Sequence, residues 1–165
     1  MTYRAKAMPE TESSVERVVR AAAERGVAIT PLVQASTTHT ADDAAQAVGV
    51  DVSRIVKSLV FKVGGQPVLV LVSGVNQLDE AALAAASGGG RVQRATADEV
   101  RSATGFAIGG VAPFGTDLPV FMDRTLLEHD TVFAAAGRPD TIFEIGSKDL
   151  AQASAAVVWQ LATPI

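Results

Sequence analysis

Two strongly apolar, β-branched runs, SLVFKV at 58–63 and PVLVLVSG at 67–74, are separated only by Gly64, Gly65 and Gln66. Three residues leave no room for a crossover, so the two strands must form an antiparallel hairpin. The second run is apolar almost throughout and does not alternate. A strand of that kind is buried on both faces and belongs near the middle of a sheet. Whatever the rest of the chain does, it must cover both sides of this hairpin.

The flanking sequence supplies the cover. Residues 13–25 place Val15, Val18, Val19 and Ala22 at helical spacing behind a Ser13–Glu16 capping box, with Gly26 as the stop. VAITPLVQ reads as extended and is interrupted by Pro31. Thr40 opens a second helix that closes at Gly49. Residues 79–86 and the segment from Thr96 to Gly105, with Glu99 in its capping box, are helical by the same signals. Strand candidates follow at 119–123, 131–136 and 141–145. Ser147 is positioned to cap a last helix holding Leu150, Ala153 and Ala156. Most connections are too short for repeated βαβ units, which implies an α/β (α+β) architecture: a mixed, curved central sheet flanked by helices.

The 165 residues show no repeat, linker or low-complexity segment, so residues 1–165 read as a single domain. No apolar run reaches membrane-span length, and MTYRAKAMPETESS lacks a secretory h-region. With no cysteine in the chain, disulfides, thiol nucleophiles and cysteine-bound zinc fall away, and a cytoplasmic location is expected. A formal charge of −4 argues against extensive phosphate gripping, and DNA is not an expected partner.

Familiar catalytic motifs are missing: no nucleophile-elbow serine, no paired-histidine zinc motif, no phosphate loop of the Walker kind. His39 with Asp42 and Asp43, or Glu128-His129-Asp130, could be imagined around a metal, but both lie among turn and cap residues. Neither a metal nor a cofactor is expected. Gly109-Gly110 lacks dinucleotide spacing, and Pro113 interrupts the helix such a loop would need. Two features remain. One is Lys57 at the mouth of the hairpin, readable as a strand-end lysine that snorkels to water or as a cation facing a pocket. Lys62, beside the turn, reads as a solvated edge charge. The other is Ser102–Pro119, with four glycines, two prolines and Asp117 as its one ionisable side chain. Backbone that costly to order implies a role for the backbone itself.

In order along the chain, HTADDAAQAVGVDVSRIVKSLVFKV, VLVLVSGVNQLDEAALA, TGFAIGGVAPFG and AAAGRPDTIFEIGSKDL resemble the YbaK and prolyl-tRNA-synthetase-associated editing-domain family over about residues 39–161. Residues 1–38 contribute an N-terminal helix and an extended segment. The resemblance implies a metal-independent aminoacyl-tRNA deacylase that removes a wrongly attached amino acid from the tRNA 3′ end. Lys57 matches the family's essential lysine, and Gly109 to Pro113 match its G-x-x-x-P loop. On that basis Lys57, Gly109 and Gly110 are candidate catalytic residues. Val111, Ala112, Pro113, Phe61, Ala135, Gly137 and Arg138 are candidate substrate contacts.

Some relatives carry a serine or histidine just before the glycine matching Gly137, where this chain has Ala134-Ala135-Ala136. A small apolar wall is the consequence, suited to alanine first and to serine, threonine or cysteine after it. Expected partners are the 3′ end of a mischarged tRNA, with tRNA-Pro as the carrier, and an aminoacyl-tRNA synthetase. Arg54, Arg91, Arg94 and Arg101 with Lys57 could form a basic rim or be ordinary surface charge. Two other readings stay open: an inactive tRNA- or synthetase-binding module of the same fold, and a hydrolase of another small acyl ester.

Overall fold

A computed structural model describes residues 12–35 and 40–165. In chain order the elements are α1 (Ser14–Glu24), β1 (Leu32–Val33), α2 (Ala41–Val48), β2 (Val56–Val63), β3 (Gln66–Ser73), β4 (Asn76–Leu78), α3 (Glu80–Ala86), β5 (Val92–Arg94), α4 (Ala97–Thr104), β6 (Val120–Asp123), β7 (Thr131–Arg138), β8 (Thr141–Gly146), α5 (Ser147–Ala153), β9 (Val157–Trp159) and β10 (Ala162–Pro164).

The hairpin is β2–β3, paired from Val56↔Ser73 to Val63↔Gln66. Gly64 and Gly65 make its turn with φ of 58° and 83°, the two positive angles a type I′ connection requires. β3 lies third in the five-stranded order β5-β2-β3-β6-β9, so the uninterrupted apolar run is central as expected. Its even-numbered side chains, Val68, Val70 and Val72, pack with Phe61, Leu83, Phe121 and Leu161. Leu69 and Leu71 face the other way, into the main core with Val18, Phe106, Met122 and Phe143. β6 and β9 join in parallel, which makes the sheet mixed.

A second sheet, β1-β8-β7, is antiparallel and meets the first through a parallel bridge between Ile55 and Phe133. β4 and β10 form a separate pair. The curved sheet is thus divided into three sets of strands, with helices outside them.

Both capping boxes, Ser13–Glu16 and Thr96–Glu99, form with reciprocal hydrogen bonds. Three local expectations are corrected. Gly146, not Ser147, occupies the N-cap of α5, because the Ser147 hydroxyl is taken by the His129 carbonyl. α5 ends at Ala153, so Ala156 lies outside it. Lys62 is not a solvated edge charge: its ammonium donates to Glu99 Oε2 at 2.7 Å, tying β2 to the start of α4. Among the described residues no helix is long and apolar enough to cross a membrane.

Candidate active site

Strand β5 covers the outer side of β2 only at Phe61, Lys62 and Val63. Val60 still offers its carbonyl to Ala95 N–H on that side, at 3.2 Å. Peptide groups alternate along a strand, so those of Ser58 point the same way, past the end of β5. The pairing of β2 with β5 does not extend to Ser58. The Ser58 hydroxyl is buried and has no hydrogen-bond partner among the described residues. Against this open stretch of β2 lies a cleft of about 650 Å³, within the size range of small-molecule sites.

Four elements close around the cleft: Ile55 to Leu59 on one side, Thr40 and the first turn of α2 above, Phe133 to Ala135 of β7 opposite, and the loop residues Ile108, Gly109 and Val111. The Thr40 hydroxyl caps α2 by accepting Asp43 N–H at 3.0 Å. His39 lies outside the described residues.

Lys57 shares a face of the hairpin with Val72, its cross-strand partner. Its ammonium donates to the Asn76 carbonyl. Burial, and secondarily the positive charge of Arg94, hold its pKa below that of an ordinary lysine. One donated bond leaves two ammonium protons for other acceptors. The Asn76 amide in turn donates to Thr125 Oγ1 at 3.2 Å, and Thr125 donates its hydroxyl and N–H to Asp123. Asp123 is fully buried, and its second oxygen accepts Leu161 N–H at 2.7 Å. A polar chain therefore runs from the candidate catalytic lysine to the C-terminal strands.

Within the glycine-rich stretch, Ala107 to Gly110 form a turn closed by Gly110 N–H donating to Ala107 O at 2.9 Å. Gly109 occupies its third position at φ 87°, where a side chain would be strained. The Gly109 amide has no main-chain partner among the described residues, whereas that of Gly110 is spent on the turn. Gly110 is small for another reason. A Cβ there would stand 3.0 Å from the Arg138 backbone, so the loop rests directly on β7.

Of the residues singled out from sequence, the structure brings Lys57, Gly109, Val111 and Ala135 to the cleft. Gly110 and the buried Ala112 are adjoining loop residues behind that surface. Pro113 lines a smaller cleft of about 220 Å³ on the far side of the loop. Phe61 lies in the core beneath α3, with the Arg94 guanidinium 5.6 Å from its ring centroid. Gly137 packs under α1, where a Cβ would stand 2.8 Å from the Ser14 carbonyl oxygen. Arg138 is exposed and paired with Asp140 through two hydrogen bonds of 3.0 and 3.2 Å. That pairing pulls the Asp140 carboxyl down to about 2.

The suggested basic rim does not assemble, since only Lys57 of its five members lines the cleft. Arg54 is engaged by Thr131 and Glu144. Among the described residues no group of three or more His, Asp or Glu side chains is placed to hold a metal. Ser58, Thr125 and Asn76 were missed from sequence. They are ordinary polar residues whose roles arise only from where β2 is left uncovered and where β4 turns back.

A family model described as an aminoacyl-tRNA editing domain matches residues 35–153. The uncharacterized protein YwhH of Bacillus subtilis is 33% identical over 126 residues, covering 75% of this chain and 80% of that protein. A proline–tRNA ligase of Maridesulfovibrio salexigens is 33% identical over 104 residues, 62% of this chain but only 18% of the ligase. The chain thus matches only a small part of that ligase. A crystal structure of a candidate trans-editing enzyme for prolyl-tRNA synthetase superposes with a TM-score of 0.85 at 42% identity, over 91% of this chain and 97% of that one.

Proposed function

The chain belongs to the aminoacyl-tRNA editing-domain family, and from that premise we propose that it is a free-standing deacylase of mischarged tRNA. Its substrate is the ester between a small amino acid and the terminal adenosine, with alanine preferred, serine, threonine or cysteine next, and tRNA-Pro as the carrier. It would act in the cytoplasm beside the synthetase that makes the error.

One observation carries the reading. Lys57 and the Gly109 turn, distant in sequence, border the same cleft on the uncovered edge of β2. A water oxygen adds to the ester carbonyl carbon, and negative charge develops on the carbonyl oxygen. The unpaired amides of the loop, Gly109 foremost, supply fixed dipoles for that charge, the kind of preorganisation that contributes several kcal/mol in acyl transfer. The bond to the ribose oxygen then breaks and that oxygen takes up a proton, releasing the amino acid and the deacylated tRNA. Lys57 holds the terminal ribose–phosphate region and favours negative charge beside it. The neighbouring ribose hydroxyl of the substrate orients the water and relays its proton, and among the described residues Asp42 is the one acidic side chain that lines the cleft. No metal enters the proposed reaction.

The size preference follows from the walls. Ala134, Ala135, Val56 and Val111 all contribute to the cleft lining, which is small and apolar there. Each methylene in such a lining is worth about 1–3 kcal/mol, which is why a second sieve for small side chains is useful. The decisive experiment is a panel of tRNAs charged with alanine, serine, threonine, cysteine and proline. Turnover of the small mischarged species with proline spared supports the reading. Turnover of none would indicate a binding module, and turnover of free amino-acid esters alone a different hydrolase.

A further inference from the structure

Helix α1 lies before the stretch matched by the family model, yet its Arg17 side chain reaches both stems of the candidate catalytic loop. The Arg17 guanidinium lies 4.0 Å from the centroid of the Phe106 ring. Its terminal nitrogen donates to the Thr104 carbonyl, the last residue of α4. Gly105 follows at φ 78°, and a Cβ there would stand 2.7 Å from the same guanidinium. At the other end of the loop Gly115, at φ 90°, would place a Cβ 3.2 Å from Arg17 Nε. Both stems of the glycine-rich loop therefore close on one guanidinium, and the turn that carries Gly109 is suspended between them.

The arrangement has a cost that implies a purpose. Arg17 Nε is buried and has no hydrogen-bond partner among the described residues. Burial also lowers the pKa of the guanidinium. An orphaned buried donor is unfavourable, so the one bond to the Thr104 carbonyl does not by itself account for the placement. A planar cation that stacks on one stem and fills the space left by two glycines can instead fix the separation of those stems. The second anchor of α1 is at β7, where Gly137 admits the Ser14 carbonyl. The helix therefore holds the loop relative to the strand that forms the opposite wall of the cleft.

We infer that Arg17 is a positioning residue for the deacylation reaction, holding the Gly109 turn at the distance from β7 that its amides need. This inference rests on the deacylase reading for its kinetic part but not for its structural part. Arg17→Met keeps the apolar stem and removes the guanidinium. Displacement of about 1 Å in a catalytic group can cost up to a hundredfold in rate, so kcat on the mischarged tRNA turned over by the wild type should fall about tenfold or more, with KM within about twofold. Amide hydrogen exchange from Ala107 to Val111 should accelerate about tenfold or more, while β2 and β3 keep their protection. Arg17→Lys, which keeps the charge but not the planar fork, should restore little of either. If Arg17→Met does not fold, Arg17→Lys decides the question through loop exchange alone. Unaltered loop exchange and unaltered kcat in the folded variant would overturn the inference. A wild-type protein inactive on every charged tRNA would instead overturn the deacylase reading, and the exchange comparison would still judge the link between Arg17 and the loop.

Discussion

The Lys57 ammonium donates to the main-chain carbonyl of Asn76, on the strand that follows the hairpin, while bordering the cleft from β2. A cation aimed by a backbone oxygen has little freedom to swing, which suits the contact proposed for it with a phosphate or ribose. Lys57→Ala should lower deacylation by about a hundredfold or more, as loss of a preorganised electrostatic group does elsewhere. The melting temperature should move by only a few degrees, since the side chain is half-buried. Steady-state deacylation and a thermal melt on the same preparation check both halves, and undiminished activity would remove Lys57 from the mechanism.

The pH dependence has a definite sign. Burial lowers the Lys57 pKa below the unfolded value of 10.5. Between the lowered value and 10.5 the unfolded chain holds a proton that the native chain has released, so this group makes stability rise with pH. Activity moves the other way, because the charged form is lost earlier than for an ordinary lysine. Enzymatic hydrolysis above the spontaneous rate should therefore decline on the alkaline side with a midpoint below 10.5. Denaturation of wild type and Lys57→Met across the same range isolates the stability component.

Gly109 and Gly110 should respond differently to alanine. At Gly109 the Cβ would meet nothing within 4 Å, and only the positive φ is strained. Gly109→Ala is expected to cost about 1–2 kcal/mol of stability and to reduce kcat by tilting the turn. At Gly110 the φ is ordinary, but the new Cβ presses the Arg138 backbone. That variant should push the loop from β7 and weaken protection of amides in both segments. Urea titration with hydrogen exchange separates the two modes of failure.

Asp123 carries structural weight far from the reacting atoms. Removing its carboxylate leaves the N–H groups of Thr125 and Leu161 without their acceptor in a buried setting. Asp123→Ala should cost about 3 kcal/mol in denaturant unfolding, about 1–3 kcal/mol for each stranded donor. It should also loosen Asn76, so KM should rise through Lys57. A variant as stable as wild type would show the polar chain to be dispensable.

Replacing the terminal adenosine by its 2′-deoxy form tests the proposed proton relay. The rate should fall by an order of magnitude or more, given that general acid–base help is worth about a hundredfold or more. Addition of a chelator should leave the rate unchanged. An unaffected 2′-deoxy substrate would require a protein group to orient the water.

Long, strongly patterned elements were legible from sequence because their signals are local. Ser13–Glu16 and Thr96–Glu99 mark helix starts within four residues, and the Gly64-Gly65 turn joins strands that pair with their immediate neighbours. β4, β5, β9 and β10 are three residues each and take partners far along the chain, so no periodicity announces them. In the site, Lys57 and Gly109 stood out by residue type and spacing, and the structure places both at one cleft. Phe61 was not separable from Leu59 by type; only the pairing of β2 with β5, and the helix over that face, sends it to the core. Lys62 reads as a surface charge until α4 brings Glu99 against it.

The contact between Asp123 and Leu161 bears on how this unit could be moved between proteins. A fragment trimmed to residues 35–153 would lose α1 with Arg17, the β9 edge beside β6, and the amide that Asp123 accepts. It would keep most residues a sequence comparison recognises and discard two of the tethers that hold the loop and the lysine in register. The stretch matched by the family model is therefore shorter than the stretch these contacts tie together.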